Sequence, residues 1–237
     1  MINIATKYGN EEFDSITKEK NLKLLTESNE NVKLAKECLK VGISNEQMGC
    51  PLNEIKDLYK KAEEYLDDAI KIYKNNAEAY FLLGIICEKK NLFKDAIEEY
   101  KKATKLDENY TEANLHLGVL YLLKGDYENA RKKFNLPANN NNYAKLCLGL
   151  IDYIIVGKGA KQQGLKYIEE SISACKKIRH MLPDETIKNI ELIIDSNKNI
   201  ESVINSNKNI INQNPTIPDT IISAIRNTIQ QETIRHL

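Results

Sequence analysis

The feature that most limits what this chain can fold into is an internal period of 34 residues. With Ala77 as position 1, Leu83-Gly84 falls at positions 7 and 8, Ala96 at 20, Tyr100 at 24 and Ala103 at 27. One period further on, the corresponding positions hold Leu117-Gly118, Ala130 and Phe134. One period back from the second half of the pattern stand Ala62, Leu66, Ala69 and Ile72, opposite Ala96, Tyr100, Ala103 and Leu106. A fixed period of this length marks a supersecondary unit that buries its apolar face only by stacking on its neighbours. Every periodic segment steps by three and four residues and none alternates over the length of a strand, so the chain is predicted to be helical throughout, without sheet.

The pattern resembles the tetratricopeptide repeat (TPR) family, whose period and order of small and large residues match these positions one by one. The resemblance implies an all-α fold: a right-handed superhelical array of antiparallel helix pairs, a TPR-like alpha-alpha superhelix, with extra N- and C-terminal helices. In such a pair Gly or Ala stands where the two backbones approach most closely, and the large residue at position 24 fills the space between neighbouring repeats. Ala96 and Ala130 are therefore expected at buried helix contacts. The turns Lys90-Asn91-Leu92-Phe93 and Lys124-Gly125-Asp126-Tyr127 place Asn and Gly where a helix ends in left-handed geometry. The best matches are residues 53–76, 77–110 and 111–137.

Outside these spans the pattern is irregular. Residues 142–176 read as one further repeat, with Leu148-Gly149 at positions 7 and 8. A long connection, Val156-Gly157-Lys158-Gly159-Ala160, shifts its second-helix small residue to Gly164, followed by Ile168 and Ser171. Pro137 and the run Asn139 to Asn142 shorten the preceding helix, because Pro does not continue a helix interior. Pro51 blocks a first helix in the usual register ahead of residue 53. The expected substitute is a helix over Val32 to Val41, followed by a long loop from Gly42 to Leu52. The expected organisation is an N-terminal capping region (1–29), helical repeats (30–176) and a C-terminal helical region (177–237), with Glu11 to Leu25 forming the amphipathic cap.

The tail from Pro183 is rich in Asn and Ile and repeats the string Ser-Asn-Lys-Asn-Ile at 196–200 and 206–210. Ile190, Ile193, Asn197, Ile200, Ile204, Asn207 and Ile211 step by three and four. That stripe suits a helix laid on the last repeat, and alternatively self-association through a coiled-coil seam in which Asn sets register. Pro218 is expected to open a last helix with Ile221, Ile222, Ile225 and Ile229 on one face. Sealing the end of the array is the favoured role for that helix, and covering the groove as a lid is the alternative.

Composition excludes more than it suggests. Lys plus Arg and Asp plus Glu number 34 each, so no net field draws the chain to nucleic acid or an anionic membrane. The five cysteines, Cys38, Cys50, Cys87, Cys147 and Cys175, contain no C-x-x-C pair and read as thiols in a reducing compartment. The N-terminal residues lack the layout of a signal peptide, and the apolar stretches Tyr80 to Cys87 and Leu146 to Val156 are too short or too polar to span a bilayer. A cytoplasmic location without membrane insertion is expected. His116, His180 and His236 are far apart in sequence with no His or Cys three or four residues away, and Gly157-Lys158-Gly159 lacks the spacing of a phosphate loop. No catalytic residue, metal or cofactor is expected, and the chain reads as a non-enzyme.

The resemblance implies a partner-binding groove lined by positions 2, 5, 9, 12 and 13 of each first helix. These are Glu78, Phe81, Ile85, Glu88 and Lys89, then Glu112, Leu115, Val119, Leu122 and Leu123, then Tyr143, Leu146, Leu150, Tyr153 and Ile154. The Lys, Asn and Arg that clamp a C-terminal carboxylate in the chaperone-binding members are replaced here by Phe81, Ile85, Glu112 and His116. The expected partner is another protein, offering an amphipathic or extended apolar segment to a scaffold of protein-binding type. The alternative is a cytosolic chaperone for a secreted or effector protein.

Overall fold

The computed structural model describes residues 2–137, 141–152, 161–177, 187–188, 190–191, 217 and 219–236. Those residues are helical or connect helices, and none is in a strand. The helices are α1 (Ile2–Gln47), α2 (Leu52–Ile72), α3 (Ala77–Lys89), α4 (Phe93–Leu106), α5 (Thr111–Leu123), α6 (Tyr127–Asn135), α7 (Asn142–Ile151), α8 (Lys161–Lys177) and α9 (Asp219–His236). They fall into two compact units that divide between Glu108 and Asn109.

In the first unit, α1 pairs with α2 and α3 with α4. The face that α1 buries is set by Val32, Ala35, Leu39 and Ile43, spaced three, four and four apart. The amphipathic segment expected as a separate cap is continuous with this stretch, because α1 runs without a break through residue 29. The long loop expected from Gly42 is also shorter than read. α1 continues to Gln47, and residues 48–51 make the turn, with Gly49 in the left-handed region at φ 71°. Gly42 marks a close approach: a Cβ there would lie 2.7 Å from Cε1 of Tyr59, on α2. The same device recurs where Gly84 of α3 meets the ring of Tyr100 of α4. Ala96 is fully buried beside Tyr100 and Ala103, as the period requires.

Hydrogen bonds fix the turn between these pairs. Asn76 caps α3 by accepting from the Ala79 N–H at 3.2 Å. Its Nδ2 donates to Ser28 Oγ and Asn29 Oδ1 of α1, both at 2.9 Å, and Ser28 Oγ donates to the Ala69 carbonyl of α2 at 2.8 Å. One buried Asn thus ties three helices together. Two ion pairs join α1 to α3: Lys36 with Glu78, and Glu46 with Lys89 at 2.8 Å. Both partner numbers rise together along the two helices, so α1 and α3 run parallel. Partly exposed pairs of this kind contribute little stability and act mainly on register.

In the second unit, α5 pairs with α6 and α7 with α8. Gly118 of α5 carries the ring of Phe134, whose Cε1 would lie 2.7 Å from an added Cβ. Asn91 and Gly125 end α3 and α5 with φ of 59° and 72°, the left-handed geometry expected of them. α6 has 9 residues against 14 in α4, and the chain leaves it through Leu136-Pro137. The irregular repeat keeps its shifted phase: Gly149 of α7 packs against the Gly164 carbonyl and Ile168 of α8, and Ser171 is buried. Arg131 of α6 holds the buried Asp152 carboxylate at the end of α7, Nε to Oδ1 at 2.7 Å, and that bond raises the guanidinium pKa. The connection 156–160 lies outside the described residues, as does the Ile/Asn stripe apart from Ile190, which is buried.

Gly118→Ala tests the ring contact. Ala gains about 1 kcal/mol of helix propensity over Gly. Overpacking against a ring with no room to move costs about 1–3 kcal/mol, and it should win. A thermal melt should show Tm lowered by a few degrees, about 2–4 °C per kcal/mol lost for a chain of this size. An unchanged or higher Tm would contradict the packing.

Candidate partner-binding groove

The first-helix positions of α3 are already engaged within the first unit. Glu78 and Lys89 form the ion pairs to Lys36 and Glu46 of α1. Phe81 is buried with its ring centroid 5.8 Å from that of Tyr100, and Ile85 is buried one turn on. Glu88, read from sequence as a groove residue, is buried, and its carboxylate accepts from the Tyr100 hydroxyl at 2.7 Å. Burial and the Glu46 carboxylate also push the Tyr59 phenol well above its ordinary pKa.

In the second unit several of the corresponding positions are buried in one cluster with the chain's own last helix, which packs on α5. Leu115, Val119 and Leu122 of α5, and Tyr143, Leu146 and Leu150 of α7, share one buried cluster with Ile221, Ile222, Ile225 and Ile229 of α9. Leu123 packs on that cluster partly buried, and Glu112 at the start of α5 is exposed. Tyr153 and Ile154 lie outside the described residues. The Ile face expected of α9 is therefore present, but its favoured role is corrected. It lies along α5 on the groove positions, the arrangement of a lid.

His116 is the residue that sequence reasoning undervalued. It is 2% exposed, and its Nε2 lies 3.0 Å from Oγ1 of Thr233 on α9. Thr233 Oγ1 also donates to the Ile229 carbonyl at 2.9 Å, as Thr hydroxyls do within helices. A hydroxyl has one proton, so with that proton directed at Ile229 the oxygen accepts from His116, and Nε2 carries the hydrogen. The only trace of this in the sequence was a hydroxyl residue four positions after Ile229 on the Ile face.

Two of the cysteines are held as thiols by their surroundings. Cys147 is fully buried, and burial drives its thiol far above the ordinary range. Burial, followed by the nearby Glu99, Asp95 and Glu63, pushes the Cys87 thiol up to about 11. Among the described residues no three His, Cys, Asp or Glu side chains gather as metal ligands, and no helix is long and apolar enough to cross a membrane. In the folded chain at pH 8, iodoacetamide should modify Cys147 more slowly than in denaturant by on the order of a hundredfold, read by peptide mass mapping. Equal rates would contradict its burial.

Residues 86–125 match the family model described as TPR repeat. No curated protein matches the sequence. A solved structure of MamA is 24% identical, covering 67% of this chain and 86% of that one, with a TM-score of 0.45. The Pseudomonas aeruginosa pilF structure is 16% identical over 73% of this chain and 72% of its own, with a TM-score of 0.50, a likeness of fold. The chain thus carries the tetratricopeptide repeat, matched at residues 86–125, and its antiparallel helix pairs have the fold that goes with it.

Proposed function

We propose that this chain is a protein-interaction module whose binding surface is the first-helix face of α5, centred on Leu115, Val119 and Leu122. The observation that carries the proposal is the seating of α9. An amphipathic helix of this very chain lies on that face with four isoleucines in the buried cluster. A surface that accepts one such helix is built for the helix-in-groove mode, read by anchors about one turn apart. The repeat match supports an interaction scaffold as the general role. The balanced charge argues for an apolar polypeptide ligand over a polyanion.

Selection from a displayed peptide library on the immobilised chain tests this. Enriched sequences should share branched apolar residues at i, i+4 and i+8 with polar residues between them. Enrichment without any helical period, or of acidic or basic runs, would contradict the reading.

A further inference from the structure

The two sides of the α5–α9 contact are unequal. On α5 every residue from Ala113 to Leu120 is buried, so this helix has no face to show to water. α9 buries one face only: Asp219, Thr220, Ser223, Asn227 and Gln231 are exposed. It joins the second unit from across residues 178–218, far in sequence from the helix it covers. If α9 left, it would do so as an ordinary amphipathic helix, whereas the stripe on α5 would need a new cover of the same kind.

The contact also carries a polar mark. His116 and Thr233 meet where both are buried, between the helices that carry Leu115, Val119, Ile225 and Ile229. Four isoleucines alone would hold a helix in several registers. A buried N–H that needs an acceptor favours one register, because any other leaves His116 without this oxygen.

Resting on the interaction-module reading, we propose that α9 is an intramolecular plug in the partner site, and that the partner is an amphipathic helix that binds by replacing it. That helix carries branched apolar residues at the spacing of Ile221, Ile225 and Ile229 and a hydroxyl residue where Thr233 stands. The plug lowers apparent affinity by the fraction of molecules in which it is seated, so a weakened plug strengthens binding in trans. A partner lacking the hydroxyl forgoes the bond between Thr233 and His116 and binds more weakly.

The test uses the full chain and a fluorescein-labelled synthetic peptide of residues 217–236, followed by fluorescence anisotropy. The double variant Ile225→Ala, Ile229→Ala, verified as folded by circular dichroism, should bind this probe at least about tenfold more tightly than the parent. A probe with Val in place of Thr233 should bind the same variant about tenfold more weakly. Equal affinity of parent and double variant would overturn the plug while leaving the α5 face as a helix site. Failure of the folded variant to bind at all would overturn the interaction reading beneath it. Equal affinity for the two probes would overturn the hydroxyl requirement. A measurement on the parent needs no variant: at saturating unlabelled peptide, hydrogen exchange at residues 219–236 should rise. Unchanged exchange with peptide bound would overturn displacement.

Discussion

Three of the four helix pairs depend on an aromatic ring seated against a glycine of the facing helix. Tyr59 on Gly42, Tyr100 on Gly84 and Phe134 on Gly118 bring the two backbones of each pair close enough for Ala62, Ala96 and Ala130 to be wholly buried. A side chain at any of these glycines would push a ring that has nowhere to go. The fourth pair reaches the same closeness without a ring: Gly149 faces the Gly164 backbone and Ile168. Once the pairs are formed this tightly, the free face of each first helix must be covered by something from outside the pair.

The two units meet that need differently. In the first unit, α1 supplies ion pairs to both ends of α3, and Glu88 is drawn inward by the Tyr100 hydroxyl. In the second, α5 offers a largely apolar stripe marked by His116, and α9 packs on it. The polar ends of α3 are therefore engaged within their own unit, while the face of α5 is the surface proposed here for binding. That contrast is why the functional reading rests on α5 and not on every first helix alike.

Helix class, the phase of the repeats and the shifted Gly164 were legible because each depends on residue size at a fixed spacing. Asn91 and Gly125 were legible because few residue types tolerate a left-handed φ. Gly42 was misread for the converse reason. Taken alone it looks like a breaker, and only the Tyr59 ring above it explains a helical glycine. The continuity of α1 was obscured because Asn29 and Asn31 weaken the local helical pattern, while Asn76, distant in sequence, bonds to Ser28 and Asn29. Leu115, Val119 and Leu122 follow from helical spacing as one stripe of α5, but nothing local records what lies on it. The contact between His116 and Thr233 joins residues far apart in sequence, and no period of either helix encodes it.

The central claim is that α9 covers α5 in the native chain. Methyl nuclear Overhauser spectra of the full-length protein, with Ile, Leu and Val methyls labelled, test it most directly. The account predicts cross-peaks between methyls of Leu115, Val119 and Leu122 and those of the α9 isoleucines. Isoleucine methyls of α9 at random-coil shifts, with no cross-peak to α5, would contradict it.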